Sequence, residues 1–171
     1  MGLEGGEYQV AGDMAHIQIV DAGPDDLPAA QRFYDSRRYG GAAIRPSDFV
    51  VLARHQEQIV GIGRLSREHD LLWLRGMQVQ PEFQRSGVGT RILDRLSEEI
   101  GPRWCCCLPY DHLVAFYRRG GFGVPIGELP PPLSARLQGY RSGGLQVVAM
   151  VRPARAHTGH PFGSKQSRGA A

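Results

Sequence analysis

Gln84-Arg85-Ser86-Gly87-Val88-Gly89 places two glycines one residue apart, directly ahead of a run with helical periodicity. A loop that feeds a helix in this way is an anion site made of backbone. The first helical turn leaves its N–H groups unpaired, and the helix macrodipole adds partial positive charge at the same place. Glycine at 87 and 89 lets a bulky anion approach the main chain. Arg85, with Arg91 as a second candidate, supplies charge-assisted bonds to phosphate oxygens. Taken alone, the glycine pair is no more than punctuation between a strand and a helix. Two familiar phosphate loops do not fit it. A Walker loop ends in Gly-Lys-Ser/Thr, whereas Gly89 is followed by Thr90-Arg91. A dinucleotide fingerprint wants a third glycine where Ile92 stands.

Cys105, Cys106 and Cys107 are the other residues with reactive side chains in one place. Neighbours on a strand point to opposite faces, so the three make neither a disulfide framework nor the spaced pairs of a structural zinc site. They lack a helix N-terminus or an assigned base to activate a thiolate, and read as small apolar strand residues in a reducing compartment. Trp73 and Trp104 lie in strand-like runs and read as core.

The elements that must position this chemistry follow from hydrophobic period. Residues 16–21 read as a first strand, followed by a helix that starts at Pro24 and ends at Tyr39-Gly40-Gly41. Residues 49–54, 58–67 and 71–80 are three strand-like runs with polar tips between them, a pattern that predicts an antiparallel meander. Gly76, inside the third run, predicts a bulge. Val88, Ile92, Leu96 and Ile100 fall on one stripe of a helix over 88–100, with Leu93 beside it, and Gly101-Pro102 stops it. A buried strand at 103–108 follows, then a helix with Asp111 as N-cap and Gly120-Gly121 as C-terminal cap. Residues from Phe122 through Pro132 read as irregular, and 145–151 as a last strand. The domain expectation is therefore an N-terminal extension at 1–15, one folded domain at 16–151, and a Gly-, Ser- and Arg-rich tail at 152–171.

Bulk properties agree with one ordinary domain. The chain has 171 residues, 42% hydrophobic and 22% charged, with a net charge of +3. Its basic residues, all arginine except Lys165, are spread along the chain rather than clustered, which argues against a nucleic-acid partner. No run approaches the roughly 18 apolar residues of a membrane span, and no charged-then-apolar leader opens the sequence. A soluble cytoplasmic protein without a membrane partner is the expectation, with a homodimer left open.

With Val79-Gln80-Pro81-Glu82-Phe83 before it and Phe116-Tyr117-Arg118-Arg119-Gly120-Gly121-Phe122 after it, the glycine loop resembles that of the GNAT superfamily of acetyl-CoA-dependent N-acetyltransferases. The resemblance runs from about residue 16 to 151, and the order of elements matches. It implies a mixed α/β (α+β) fold, with a mostly antiparallel central sheet and helices on both faces. It also implies acetyl-CoA as cosubstrate, with no metal. Residues Gln84, Arg85, Ser86, Gly87, Val88, Gly89 and Thr90 are then expected to cradle the coenzyme A pyrophosphate. Met77, Gln78 and Val79 would pair with the pantetheine arm, and Phe116 would contact the cofactor. The Val79 N–H would polarise the thioester carbonyl, Tyr117 would protonate the departing thiolate, and a primary amine would attack directly through a tetrahedral intermediate.

The pattern departs from the family in two places. Tyr110 stands where many relatives carry asparagine, and 71–80 holds no carboxylate that could act as base. Glu68, His69, Asp70, Asp111 and His112 remain as candidate bases. Two regions would wall a small-molecule acceptor pocket: Arg37 to Pro46, and Gly127 to Arg141 with Glu128, Arg136 and Tyr140. The departures keep alternatives open. One is a non-catalytic acetyl-CoA-binding regulatory module; a more distant one is a basic nucleic-acid or protein-interaction domain.

Overall fold

The structure is a computed structural model that describes residues 16–155. The expected extension at 1–15 and the tail beyond 155 lie outside the described residues. β1 (Ile17–Asp21), β2 (Phe49–His55), β3 (Gln58–Glu68) and β4 (Leu71–Val79) form the antiparallel meander, in sheet order. β5 (Cys105–Cys107) joins β4 in parallel, and β6 (Met150–Arg152) closes the sheet antiparallel to β5. The turn between β3 and β4 is made by His69 and Asp70, both left-handed at φ 51° and 60°. Two successive positive φ values match the right-handed twist of a hairpin, which explains why this tip is so tight.

Period-2 alternation decides which helix each strand residue meets. Val51 and Ala53 on β2 join the cluster built on α2 (Val88–Ile100), while Val50 and Leu52 join the one built on α1 (Leu27–Ser36). The central sheet is thus covered on both faces. On α2, Val88, Ile92, Leu93, Leu96 and Ile100 are all buried, which is the predicted stripe with Leu93 included. Burying each of these large aliphatic side chains stabilises the fold by roughly 1.5–3 kcal/mol.

Three local expectations are corrected. Asp111 does not cap its helix: it is the exposed first residue of a 3-10 turn, Asp111–Leu113, that leads into the short α3 (Val114–Arg118). The last strand pairs only over Met150–Arg152, preceded by an isolated bridge from Val147 to Tyr110. A further helix, α4 (Pro131–Ser142), follows the segment read as irregular, starting inside its three prolines. Pro131 and Pro132 occupy the first helical positions, where no N–H is required, so a triplet that reads as a breaker is a helix start. Only Leu133 on α4 is fully buried; with Leu137 it packs on Trp73, Cys106 and Ala149. One short contact patch is too small to give the sequence an apolar stripe.

Candidate active site

β4 carries a bulge. Ile62 pairs with Gln78 but Arg64 pairs with Arg75, so Gly76 and Met77 together face the single residue Gly63. Gly76 has φ 68°, and a Cβ there would lie 2.2 Å from the Tyr34 hydroxyl, so no other residue fits. That hydroxyl donates to the Gly76 carbonyl at 2.7 Å. Burial raises the pKa of the Tyr34 phenol, which keeps its proton on and the bond in place.

Beyond the bulge, the Gln80 N–H donates to Val60 O at 2.8 Å. Ladder groups alternate in direction, so the N–H and C=O of Val79 point away from β3, toward the side where β5 should pair. β5 pairs with β4 only at Trp73–Cys106. The two parallel strands then part, and among the described residues the outward backbone of Val79 is hydrogen-bonded only by the Gln84 side chain, whose Nε2 donates to Val79 O at 3.0 Å.

The glycine loop lies just past this edge. Pro81–Phe83 form a 3-10 turn, the Ser86 hydroxyl donates back to Phe83 O, and Arg85 and Gly87 are both left-handed at φ 60° and 87°. Gly87 is the N-cap of α2 and no side chain caps its first turn. No heavy atom lies within 4 Å of where a Gly87 Cβ would be, so the approach is open. Gln84, Arg85, Ser86 and Gly87 are exposed, and Gly89 and Thr90 half-buried. The Val88 side chain belongs to the core, which leaves only its N–H facing a ligand. Phe116 sits over the helix start, its ring 3.6 Å from where a Gly89 Cβ would be. Arg91 is engaged elsewhere, donating to Ile17 O at 3.0 Å.

Where β4 and β5 part, a cavity of about 560 Å³ opens. Met77, Gln78 and Tyr117 line it; Val79 is not part of the lining. Tyr117 is buried edge-on between Phe116 and Phe122, and burial raises its pKa, with Cys107 and Tyr39 adding to the effect. Its hydroxyl makes no hydrogen bond to any described residue. Of the two expected acceptor walls, Tyr39 to Ala42 and Arg136 with Tyr140 reach the cavity. Arg37, Arg45, Glu128 and Arg141 do not: Arg45, for instance, is held by Asp48 and Arg67 O.

None of the candidate bases is placed for that role. Glu68 lines the cavity, but hydrogen bonds from Arg136 and then Arg75 lower its pKa to about 2. His69 and Asp70 make the β3–β4 turn, and Asp111 and His112 are exposed; none of the four lines the cavity. The cysteines alternate as expected, Cys105 and Cys107 in one cluster and Cys106 in another. Burial pushes the thiols of Cys105 and Cys106 up to about 12, and that of Cys107 upward too, so no thiolate forms.

Two features escape the sequence reading. Arg64, in the middle of an apolar strand run, is fully buried against Asp48 at 2.9 Å and donates to Ala42 O and Ala43 O. It ties the loop that walls the cavity to β3. Arg75 stacks over Trp73 with its guanidinium carbon 5.2 Å from the ring centroid, beside Arg136 at 4.5 Å. Only the alternation of Arg75 with Trp73 and Met77 on one strand hinted that it would share their site. Among the described residues, no group of three His, Cys, Asp or Glu side chains is placed to hold a metal ion. No described helix is long and apolar enough to cross a membrane.

A bulged strand with an outward backbone, parted from its parallel neighbour beside a helix N-terminus, makes a groove for an extended ligand with an anionic end. Residues 46–124 match the family model of the acetyltransferase (GNAT) domain. The fold resembles that of N-acetylglutamate synthase from Neisseria gonorrhoeae, solved with coenzyme A and N-acetyl-glutamate, at TM-score 0.58 and 22% identity over 82% of this chain. This chain corresponds to only 35% of that one. It also resembles the ribosomal-protein-S18-alanine N-acetyltransferase from Escherichia coli, at 0.57 and 16%, covering 84% of this chain and 99% of that one. Rv2747 from Mycobacterium tuberculosis, solved with CoA, gives 0.57 and 20%, covering 81% and 99%. No curated protein matches. The match to the acetyltransferase (GNAT) domain model is confined to residues 46–124, and the solved structures show that the fold is shared.

Proposed function

We propose that this chain transfers the acetyl group of acetyl-CoA to the primary amine of a small molecule held in the cavity beside β4. The observation that carries the reading is the bulge at Gly76–Met77, which leaves the Val79 backbone turned into the gap between β4 and β5. Acetyl-CoA supplies an activated acyl group as a thioester. The residues present suit it. The outward backbone of Val79, beside the unpaired Met77, offers ladder bonds to the pantetheine amides. The unpaired N–H groups from Val88 to Thr90, the open approach at Gly87 and Gly89, and Arg85 suit the pyrophosphate. Gln84 and Ser86 hold the loop, and Phe116 covers the helix start.

The amine nitrogen adds to the acyl carbon to give a tetrahedral intermediate, which collapses as the carbon–sulfur bond breaks, without an acyl-enzyme. The Val79 N–H donates to the carbonyl oxygen as negative charge gathers there. Tyr117, protonated at neutral pH by its burial, gives its proton to the leaving sulfur, and the amine proton passes to water and returns to the phenol. Among the described residues that line the cavity, the one carboxylate, Glu68, is taken by Arg75 and Arg136 and there is no imidazole, so the amine enters already neutral.

The test is a screen of small primary amines with acetyl-CoA, following free coenzyme A release. Amine-dependent release in wild type, reduced in Tyr117→Phe, is the expected result. Tight acetyl-CoA binding with no turnover of any amine would instead favour the regulatory-module reading.

A further inference from the structure

Apart from tyrosines and the buried Cys107, the ionisable groups that line the cavity among the described residues are Glu68, Arg75 and Arg136, which together carry one net positive charge. Glu68 is shared between the two arginines. Arg136 grips it with both terminal nitrogens, Nη1 at 3.1 Å, and Arg75 gives it Nη2 at 2.9 Å. The Nε and Nη1 of Arg75 have no hydrogen-bond partner among the described residues. The guanidinium is fixed in place nevertheless, stacked on Trp73 and pinned at one corner by Glu68. A rigid guanidinium with two free donors, facing a cavity, is preorganised for a carboxylate.

Apart from Gln78, the remaining side chains of the lining are apolar or aromatic. Tyr39, Tyr110, Tyr140, Leu145 and Val147 face the same space. Arg75 immediately precedes the bulge at Gly76–Met77, so an anion on Arg75 sits on the strand that would present the acyl group. A cationic amine without a carboxylate would bring a second positive charge into a lining that already has one. We propose that the acceptor is a free amino carboxylate with an apolar or aromatic body, its carboxylate bound by Arg75. This rests on the acetyltransferase reading and narrows it. The same guanidinium pair opposes protonation of the nearby amine, which suits a site with no general base.

The test uses matched pairs: apolar and aromatic α-amino acids and their carboxamides, offered to the full chain with acetyl-CoA. At least one amino acid should be acetylated with kcat/KM about tenfold or more above its amide, as the loss of a charge-assisted bond implies. In Arg75→Gln that preference should fall toward unity, and Arg75→Lys should restore part of it. The acetyl-CoA Kd of both variants should match wild type, which also shows that they fold. Equal or faster turnover of the amides overturns the carboxylate assignment. Acetyl-CoA binding with no turnover of any free amino carboxylate overturns the acceptor class and leaves the cofactor site standing. Failure of wild type to bind acetyl-CoA removes both readings.

Discussion

Burial keeps the Tyr117 phenol protonated at neutral pH, with its ring fixed edge-on by two phenylalanines. A fixed, protonated hydroxyl without a hydrogen-bond partner is the state a proton donor needs. Tyr117→Phe should therefore lower the single-turnover rate by about 10²–10⁴-fold while leaving acetyl-CoA affinity unchanged. An unchanged chemical rate would remove Tyr117 from the mechanism. Glu68 illustrates the opposite case. Its pKa in the fold, about 2, lies below the ordinary 4.5, so its ion pairs contribute stability that is fully present above pH 4.5. That contribution fades as pH falls toward 2. Denaturant titrations across this range should show wild type losing stability more steeply than Glu68→Gln. The cysteines, with thiols pushed far above neutrality, should react with an aromatic disulfide reagent only after unfolding.

Elements fail or succeed here according to how much of their stability is local. α2 was legible because five buried residues repeat at helical spacing, and the meander because its runs alternate between two polar tips. The bulge was legible from one glycine in an otherwise apolar strand. α4 was not, because its register depends on Leu133 and Leu137 docking on Trp73, a contact 60 residues distant. Arg64 was equally invisible, since a charge in a strand run reads as solvated unless its partner, Asp48, is known to lie beneath it. The family motif brought the glycine loop and Tyr117 into view. The cavity's charge came only from tertiary contacts, and so did the pairing of Glu68 with Arg75 and Arg136.

Two element-scale outcomes follow. Gly76→Ala would force a Cβ into the Tyr34 hydroxyl at a left-handed position, and should cost at least about 1–2 kcal/mol, measured by urea unfolding. Asp48→Ala would strand a buried guanidinium and should cost about 3–5 kcal/mol. A cost near zero in either case would mean that the bulge or the cavity wall is held by something else.

For the whole molecule, the sheet is a device for opening one gap. A strand paired along its full length offers no backbone to a ligand. β4 is paired with β3 on both sides of the bulge but with β5 at one residue pair, and the helix that follows it ends the gap with unpaired N–H groups. The central claim is that this gap and loop hold acetyl-CoA. Calorimetric titration of acetyl-CoA into wild type and Gly89→Glu tests it most directly. A Cβ at Gly89 makes only ordinary contacts, so the variant should fold, while its carboxylate repels a pyrophosphate. Saturable binding to wild type that is lost in Gly89→Glu is the expected result. No binding to wild type at millimolar acetyl-CoA, or equal binding to both proteins, would contradict the account.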